Sequence, residues 1–246
     1  MNSVLAYPQS LPSAPIVHRP TTDWPAGVLT REQMNRALDE LSFRFVVASR
    51  MARAPVLDFG CGEGLAAAAA LTRGAHVYAI DPDEGAIRRL LAGVPSQQHC
   101  RLRTRVASLL GTGFKGVYFD AIHAARVLQD FDGVGVESVL KKFHRWLHPN
   151  GRLFISALTP IGAFWNPFTR EYQRRCELGE RWPGYIEDVA QFAGHEGDTR
   201  AIHLLDEATL RHELEAAGFA IDEIRCAPLA WDNTQISCAA IARRRP

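Results

Sequence analysis

The stretch VLDFGCGEG at residues 56–64 decides the fold. Its first four residues are apolar apart from Asp58, which predicts a short buried strand. Three glycines then alternate with other residues, and the alanine-rich segment from Leu65 to Leu71 predicts a helix. Because glycine lacks a Cβ and tolerates positive φ, such a loop lets a ligand approach the backbone closely. The stretch therefore predicts a strand, a ligand-binding loop and a helix.

The next predicted strand ends in an acidic residue. His76 to Ile80 reads as a strand, and Asp81 follows it directly. In a doubly wound sheet this position lies beside the glycine loop, where a carboxylate can accept hydrogen bonds from both hydroxyls of a ribose. The G-x-G-x-G spacing differs from the G-x-G-x-x-G of dinucleotide-binding folds, so a nicotinamide dehydrogenase is disfavoured.

Strands and helices alternate along the rest of the chain, which predicts an α/β fold with a mainly parallel sheet covered on both faces. We assign residues 1–20 to a flexible lead-in and 21–246 to one domain. A turn is predicted from His148 to Gly151, and Asp206 is expected to cap a helix. The predicted helices span about 31–51, 84–91 and 134–147, and the remaining predicted strands span 102–107, 117–123, 152–158, 219–226 and 235–242.

Composition and residue spacing limit the substrates, the cellular location and the metal sites that we expect. The formal net charge of +1 argues against a nucleic-acid substrate, since nucleic-acid-binding domains usually carry a basic excess. We expect neither a membrane span nor a signal peptide, because no apolar run is long enough and the N-terminus lacks a basic region. Five cysteines without a C-x-x-C pair predict reduced thiols in the cytoplasm. No metal site is predicted, since His144 and His148 lack a third ligand.

Four segments together resemble the class I S-adenosylmethionine-dependent methyltransferase family: VLDFGCGEG, HVYAIDPDEGAIRRL, FDAIHAARVLQDF and WLHPNGRLFISAL. The resemblance covers about residues 30 to 245. It implies a doubly wound, seven-stranded sheet whose last strand is antiparallel. It also implies that S-adenosylmethionine binds at the carboxyl ends of strands one, two and four and leaves as S-adenosylhomocysteine.

The resemblance assigns residues to each part of this cofactor. Asp58 would order the glycine loop and meet the amino end of the methionine part, and Asp81 would hold the ribose hydroxyls. The sequence departs from the family pattern at two places. Ser108 offers the only side chain at the position where relatives often carry an acidic residue that meets the adenine amino group. Gln129 and Asp130 stand where relatives commonly show Glu-His or His-Phe. The residues assigned to the cofactor are Asp58, Gly60, Cys61, Gly62, Gly64, Asp81, Pro82, Ser108, Ala124 and Ala125.

The acceptor is expected to bind outside these motifs. Methyl transfer depends mainly on holding the acceptor near the sulfonium, and a general base is optional. The long connection at about 159–204 is rich in aromatic residues and predicts a lid or acceptor-binding segment, partly helical from Pro167 to Leu178 with Thr169 as its cap. The alternative is that these aromatics only pack the segment onto the sheet. The candidate acceptor-binding residues are Trp165, Tyr172, Trp182 and Tyr185.

His123 is the first candidate for a catalytic base, because it ends the fourth predicted strand near the expected methyl group. His195 and His203 are secondary candidates. The leading functional hypothesis is O-, N- or C-methylation of a small organic acceptor. One alternative is a protein or RNA methyltransferase, and another is an S-adenosylmethionine-binding partner or regulatory protein without catalysis. The sequence leaves the oligomeric state open.

Overall fold

The computed structural model describes residues 38–115, 118–193, 200–229 and 232–245. Three predictions therefore lie outside the described residues: the lead-in at 1–20, the first turns of the helix predicted from residue 31, and His195. The described elements, in chain order, are α1 (Glu40–Ser49), β1 (Val56–Phe59), α2 (Leu65–Thr72), β2 (Val77–Asp81), α3 (Glu84–Gly93), β3 (Leu102–Val106), β4 (Phe119–Ala125), α4 (Gly133–Trp146), β5 (Leu147–Leu158), α5 (Asn166–Glu177), β6 (Tyr185–Ile186), α6 (Ala190–Ala193), β7 (Ile202–His203), α7 (Glu207–Ala216), β8 (Phe219–Leu229) and β9 (Asp232–Arg244).

Seven strands form one sheet in the order β3-β2-β1-β4-β5-β9-β8. Strands β1 to β5 pair in parallel, whereas β9 is antiparallel to both β5 and β8. The predicted doubly wound sheet with an antiparallel last strand is thus confirmed. The strand order reverses at β1, between β2 and β4, which is the position where open α/β sheets bind ligands.

Helices cover both faces of this sheet. Phe45 of α1 and the alanines of α2 pack on one face, together with Leu90 of α3. Val139 and Phe143 of α4 pack on the other face with residues of α7. The small alanine side chains of α2 allow α1 to pack close to it, so α1 also reaches β4 and β5.

The turn predicted from His148 to Gly151 lies within the range of β5, at an irregularity where the pairing with β4 passes from Phe119↔Leu147 to Ala121↔Arg152 and Asn150 takes a φ of 64°. One local prediction is wrong. Thr169 does not cap α5. That helix begins at Asn166 with Pro167 in its first turn, where the missing N–H of proline costs nothing, and the Thr169 hydroxyl donates to the Trp165 carbonyl. Asp206 does cap α7, by accepting from the Thr209 N–H.

The prediction that all five cysteines are reduced thiols is also wrong. Cys226 on β8 and Cys238 on β9 lie opposite each other and form a disulfide. Pairing of the two strands brings together cysteines that are 12 positions apart in sequence. Cys61, Cys100 and Cys176 are free.

Candidate active site

The glycine loop leaves open space beside its central glycine. Gly60, Gly62 and Gly64 all have positive φ, at 70°, 52° and 76°. A Cβ placed on Gly62 would meet no atom within 4 Å, whereas one on Gly60 would lie 2.2 Å from Cγ1 of Val127. Gly60 is therefore required for packing against the loop after β4, and Gly62 faces room for a ligand.

Asp81 ties the tip of β2 to this loop. Its Oδ2 accepts from the Gly62 N–H at 2.8 Å, and its Oδ1 accepts from the Asp83 N–H at 2.8 Å. The N–H groups of Gly60 and Cys61 both donate to the Ile80 carbonyl. Each carboxylate oxygen has a further lone pair, so Asp81 can accept two hydroxyl hydrogens while it holds the loop.

Burial raises the pKa of the Cys61 thiol, and the nearby carboxylates of Asp58 and Asp81 raise it further. The thiol therefore stays protonated at neutral pH. Cys61 contributes to the loop through its backbone.

A buried chain of hydrogen bonds runs from the glycine loop to α1. Oδ2 of Asp58 accepts from the Ala67 N–H in the first turn of α2, at 3.1 Å. Oδ1 of Asp58 lies 2.7 Å from Nδ1 of His123, and Nε2 of His123 lies 2.9 Å from the Ser42 hydroxyl oxygen. Asp58 is 1% exposed, His123 5% and Ser42 6%. The chain connects α2, β1, β4 and α1.

The contacts of His123 can be compared with its predicted role as a catalytic base. Both of its ring nitrogens have a protein partner, and its ring stacks on Phe45 at a centroid distance of 4.9 Å. A base must reach the acceptor proton directly or through one water. In this position His123 contacts Asp58 and Ser42, and its role as a base stays a prediction.

A cavity of about 450 Å³ lies beside α1 on the half of the sheet that contains β5, β9 and β8. Arg126, the residue after β4, lines it together with residues of α1, β5, β8 and β9. No sequence signal indicated the contributions of β8 and β9 to this cavity. The residues that line it are Leu38, Asp39, Glu40, Leu41, Arg44, Arg126, Ser156, Glu223, Arg225, Cys226, Ala227, Pro228, Leu229, Ser237, Ala239 and Ile241.

Arg126 takes a left-handed backbone conformation, with φ of 56°. For a residue other than glycine this costs about 1–2 kcal/mol. Its N–H donates to the Ser156 carbonyl at 2.9 Å, and its guanidinium Nη1 lies 2.9 Å from Oδ2 of Asp39. Burial alone would raise the pKa of Asp39, but hydrogen bonds from Ser42 and the Arg126 guanidinium hold that pKa below its usual value.

A second cluster of charged side chains also lines the cavity. Glu223 on β8 contacts Nη1 of Arg44 at 2.5 Å and Nε of Arg225 at 2.7 Å. The hydrogen bond from Arg44 lowers the pKa of Glu223, and the charges of both arginines lower it further. Both Asp39 and Glu223 are therefore ionised at neutral pH.

A family model described as a methyltransferase domain matches residues 30–224, which is most of the chain. The chain belongs to this family. The class I, S-adenosylmethionine-dependent methyltransferase predicted from the sequence is thereby confirmed. No curated protein matches the chain.

Solved structures of methyltransferases share the fold. An S-adenosylmethionine-dependent methyltransferase from Methanosarcina mazei is 21% identical, with a TM-score of 0.62, over 78% of this chain and 92% of that one. The 1,6-didemethyltoxoflavin-N1-methyltransferase of Burkholderia thailandensis is 18% identical, with a TM-score of 0.59, over 84% of this chain and 79% of that one. The magnesium protoporphyrin IX methyltransferase of Synechocystis is 18% identical, with a TM-score of 0.56, over 87% and 82%.

The residues of this methyltransferase fit the cofactor of its family. The space beside Gly62 and the spare lone pairs of Asp81 match the methionine part and the ribose hydroxyls, respectively. Pro82 and Ser108 are exposed near the ends of β2 and β3, and Ser108 accepts from the Gly111 N–H in its own turn. Ala124 and Ala125 end β4. The individual cofactor contacts of these residues stay predictions.

The four aromatic residues predicted to bind the acceptor do not line the cavity. Trp165 is buried in a satellite cluster with Phe168 and Leu204, and the Tyr172 hydroxyl donates to Asp206. The Trp182 and Tyr185 rings both contact the His203 ring edge-on. These contacts give all four residues a packing role in the described part of the segment, and their binding of the acceptor stays a prediction.

His203 is fully buried between this segment and the loop after β4. Its Nδ1 lies 3.1 Å from the Phe131 carbonyl, so Nδ1 carries the hydrogen. Burial lowers its pKa to about 4, although the bond to Phe131 and the charge of Asp132 act in the opposite direction. His203 is therefore neutral at pH 7.

Among the described residues, no group of three or more His, Cys, Asp or Glu side chains is arranged to hold a metal ion. The described helices also include none that is long and apolar enough to cross a membrane.

Proposed function

We propose that this methyltransferase transfers the methyl group of S-adenosylmethionine to a small organic acceptor bound in the cavity that Arg126 lines. One observation carries the proposal: the cavity and the glycine loop meet at adjacent residues. Arg126 lines the cavity, and the next residue, Val127, packs against Gly60 of the loop. A cofactor on the loop would therefore have its methyl group close to the part of the cavity that Arg126 lines.

The bound cofactor would supply a methyl group on a positively charged sulfur. The chain's own residues would position the reactants, because in-line displacement needs the acceptor atom aligned behind the methyl carbon. Asp58 and Asp81 fix the loop through hydrogen bonds to Ala67 and Gly62. Arg126, α1, β8 and β9 contribute residues to the lining of the cavity.

The size of the cavity and the nature of two neighbours support a small acceptor. A cavity of about 450 Å³ is within the range of sites for small organic molecules. The Burkholderia thailandensis enzyme was solved with bound 1,6-didemethyltoxoflavin, and the Synechocystis enzyme is named for a porphyrin. The net charge of +1 gives no support to a nucleic-acid substrate. We propose a small-molecule acceptor on these grounds and prefer it to protein or RNA.

The test is release of S-adenosylhomocysteine from S-adenosylmethionine with a panel of small organic acceptors, a peptide mixture and total RNA. Ala227→Trp fills the cavity from the exposed side of β8, and Glu215→Trp on α7 is the matched control away from it. We expect turnover with small acceptors that falls at least tenfold in Ala227→Trp and is unchanged in Glu215→Trp. Turnover only with peptide or RNA would contradict the acceptor class. Cofactor binding without any turnover would favour the non-catalytic alternative.

The predicted cytoplasmic location stays a prediction.

A further inference from the structure

We propose that the hydroxyl of Ser156 forms a hydrogen bond with a neutral polar group of the acceptor, a hydroxyl, carbonyl or amide, and that Ser156 thereby determines which acceptors bind. This inference rests on the proposed function, because it concerns the same cavity. It is carried by the hydrogen bonding of this side chain, by the face of β5 on which Ser156 lies and by the balance of charges in the cavity lining.

The Ser156 hydroxyl is buried without a hydrogen-bond partner among the described residues. Ser156 is 3% exposed, and its side-chain oxygen has no protein partner in that part of the chain. Its backbone, in contrast, is engaged, since its carbonyl accepts from the Arg126 N–H at 2.9 Å. The large majority of buried polar groups in folded proteins have a partner, so an unpartnered one calls for a physical reason. A ligand that supplies the partner is such a reason.

Ser156 combines an unpartnered polar group with a place in the cavity lining. Several other residues in the described part of the chain also carry a buried side-chain nitrogen or oxygen without a partner, and none of them lines the cavity. They are Gln98, Gln129, Trp165, His203 and Arg244. The unpartnered group and the cavity therefore coincide at Ser156.

The direction of β5 turns the Ser156 side chain towards the cavity. Side chains two positions apart on a strand share a face, and Phe154 packs edge-on against Phe45 of α1 at a centroid distance of 5.8 Å. The neighbour of Ser156 on β9 is Ala239, which also lines the cavity. Rotation about the single side-chain torsion of serine moves its oxygen between staggered positions without moving the strand. The hydroxyl can therefore turn towards a ligand.

Ser156 also lies beside the end of β4. It pairs with Ala125, one of the residues that the family resemblance assigns to the cofactor, and the next residue, Arg126, donates to its carbonyl. A group held by Ser156 would therefore lie near the expected position of the methyl group. One fixed hydrogen bond there would orient the acceptor, and in-line displacement depends on such orientation.

The charges of the lining favour neither an anionic nor a cationic group. Three carboxylates and three guanidiniums line the cavity, so their formal charges cancel, and the ion pairs at Asp39 and Glu223 join opposite charges. A single hydroxyl does not replace the hydration of an ion, whereas it can replace a hydrogen bond that a neutral group loses on burial. A neutral polar group therefore suits Ser156 best.

The first measurement compares urea unfolding of wild type, Ser156→Ala and the control Thr159→Val. Thr159 is 0% exposed and does not line the cavity, and its hydroxyl bonds the carbonyl and the N–H of Ile161 at 2.9 and 3.1 Å. Removing an unpartnered buried hydroxyl relieves the cost of its desolvation, whereas removing a bonded one leaves its partners unpaired. We expect Ser156→Ala to unfold at the same or a higher urea concentration than wild type, and Thr159→Val at a lower one.

The second measurement uses two probes of nearly the same shape, 6-hydroxyquinoline and 6-methylquinoline. Calorimetry on the full chain saturated with S-adenosylhomocysteine measures the affinity of each probe. We expect wild type to bind the hydroxyl probe at least about tenfold more tightly, which is the scale for one hydrogen bond to a buried polar group. Ser156→Ala should reduce this preference to less than about twofold and keep its affinity for S-adenosylhomocysteine, and Thr159→Val should retain the preference.

The inference would be overturned if Ser156→Ala lost as much stability as Thr159→Val, because its hydroxyl would then have a partner in the fold. Equal binding of the two probes by wild type, binding of neither, or a preference that survives in Ser156→Ala would also overturn it. Failure of the proposed function would appear differently, as loss of S-adenosylhomocysteine binding in wild type or as turnover only with peptide or RNA. Equal turnover of small acceptors by wild type and Ser156→Ala would overturn the inference and leave the proposed function intact.

Discussion

Nδ1 of His123 lies 2.7 Å from Oδ1 of Asp58, and both side chains are buried beneath the glycine loop. The second nitrogen of the ring lies 2.9 Å from the Ser42 hydroxyl oxygen. The His123 side chain therefore joins α1 to β1 next to the cofactor loop, and whether it also acts as a base is open to test.

Replacing His123 by alanine should destabilise the fold, because the substitution leaves the Asp58 carboxylate and the Ser42 hydroxyl buried without this partner. We expect a loss of about 3 kcal/mol in the free energy of unfolding by urea, and about 1–2 kcal/mol for the control Ser42→Ala. The affinity for S-adenosylhomocysteine should fall with the stability. A hundredfold fall in kcat with unchanged stability would instead identify His123 as a base.

Alanine substitutions at Gly60 and Gly62 should affect folding stability and cofactor binding differently. Gly60→Ala brings a methyl group to 2.2 Å from Val127, so we expect a loss of about 2–4 kcal/mol in folding stability. Gly62→Ala meets no atom and should cost only about 1–2 kcal/mol for its positive φ, but it should weaken S-adenosylhomocysteine binding more than tenfold. Calorimetry and urea unfolding separate the two effects. The added substitution Val127→Ala should partly restore Gly60→Ala, and absence of any coupling would contradict the packing account.

Stability should fall between about pH 6.5 and pH 4 because of His203. Its pKa is lowered to about 4 in the fold, so within this window the unfolded chain binds a proton that the folded chain does not. The stabilisation that neutral His203 contributes is complete above the pKa of this histidine in the unfolded chain. It is lost as the pH falls towards 4 and changes no further below pH 4. We expect a loss of roughly 3 kcal/mol. His203→Asn keeps a donor for the Phe131 carbonyl and does not titrate, so its unfolding free energy should vary less from pH 7 to pH 4.5. Equal pH dependence in both proteins would contradict the assignment.

The disulfide should be visible by thiol counting. Unreduced, denatured protein should react at three of its five cysteines, because Cys226 and Cys238 are joined. Replacing both by alanine should lower the free energy of unfolding by about 1–3 kcal/mol, the scale for closing a short loop. Five reactive thiols without a reductant would show that the bond is absent in solution.

Local pattern was enough to predict the sheet and the cofactor loop. The strand, loop and helix at 56–71 and the acid at position 81 follow each other closely, so periodicity and glycine spacing identify them. The cavity joins Asp39, Arg126 and Glu223, which are far apart in sequence, and the left-handed φ of Arg126 has no local signal. The disulfide could have been predicted, because a hairpin between the last two predicted strands places Cys226 opposite Cys238.

The aromatic residues in the described part of 159–204 have a packing role whether or not they also bind the acceptor, which stays a prediction. A segment of this length needs a core of its own to stay folded, and large apolar side chains supply it. Trp165 and Phe168 do so in a cluster with Leu158 and Ile186. Aromatic content alone does not distinguish such a core from a binding surface.

The most direct test of the account is calorimetric titration of S-adenosylhomocysteine into wild type, Asp81→Asn and the control Asp83→Asn, whose carboxylate caps α3 at the surface. We predict binding to wild type, a loss of about 1–3 kcal/mol in binding free energy for Asp81→Asn, and little change for Asp83→Asn. Absence of binding to folded wild-type protein, or unchanged binding in Asp81→Asn, would contradict the assignment of the cofactor to the glycine loop and the tip of β2.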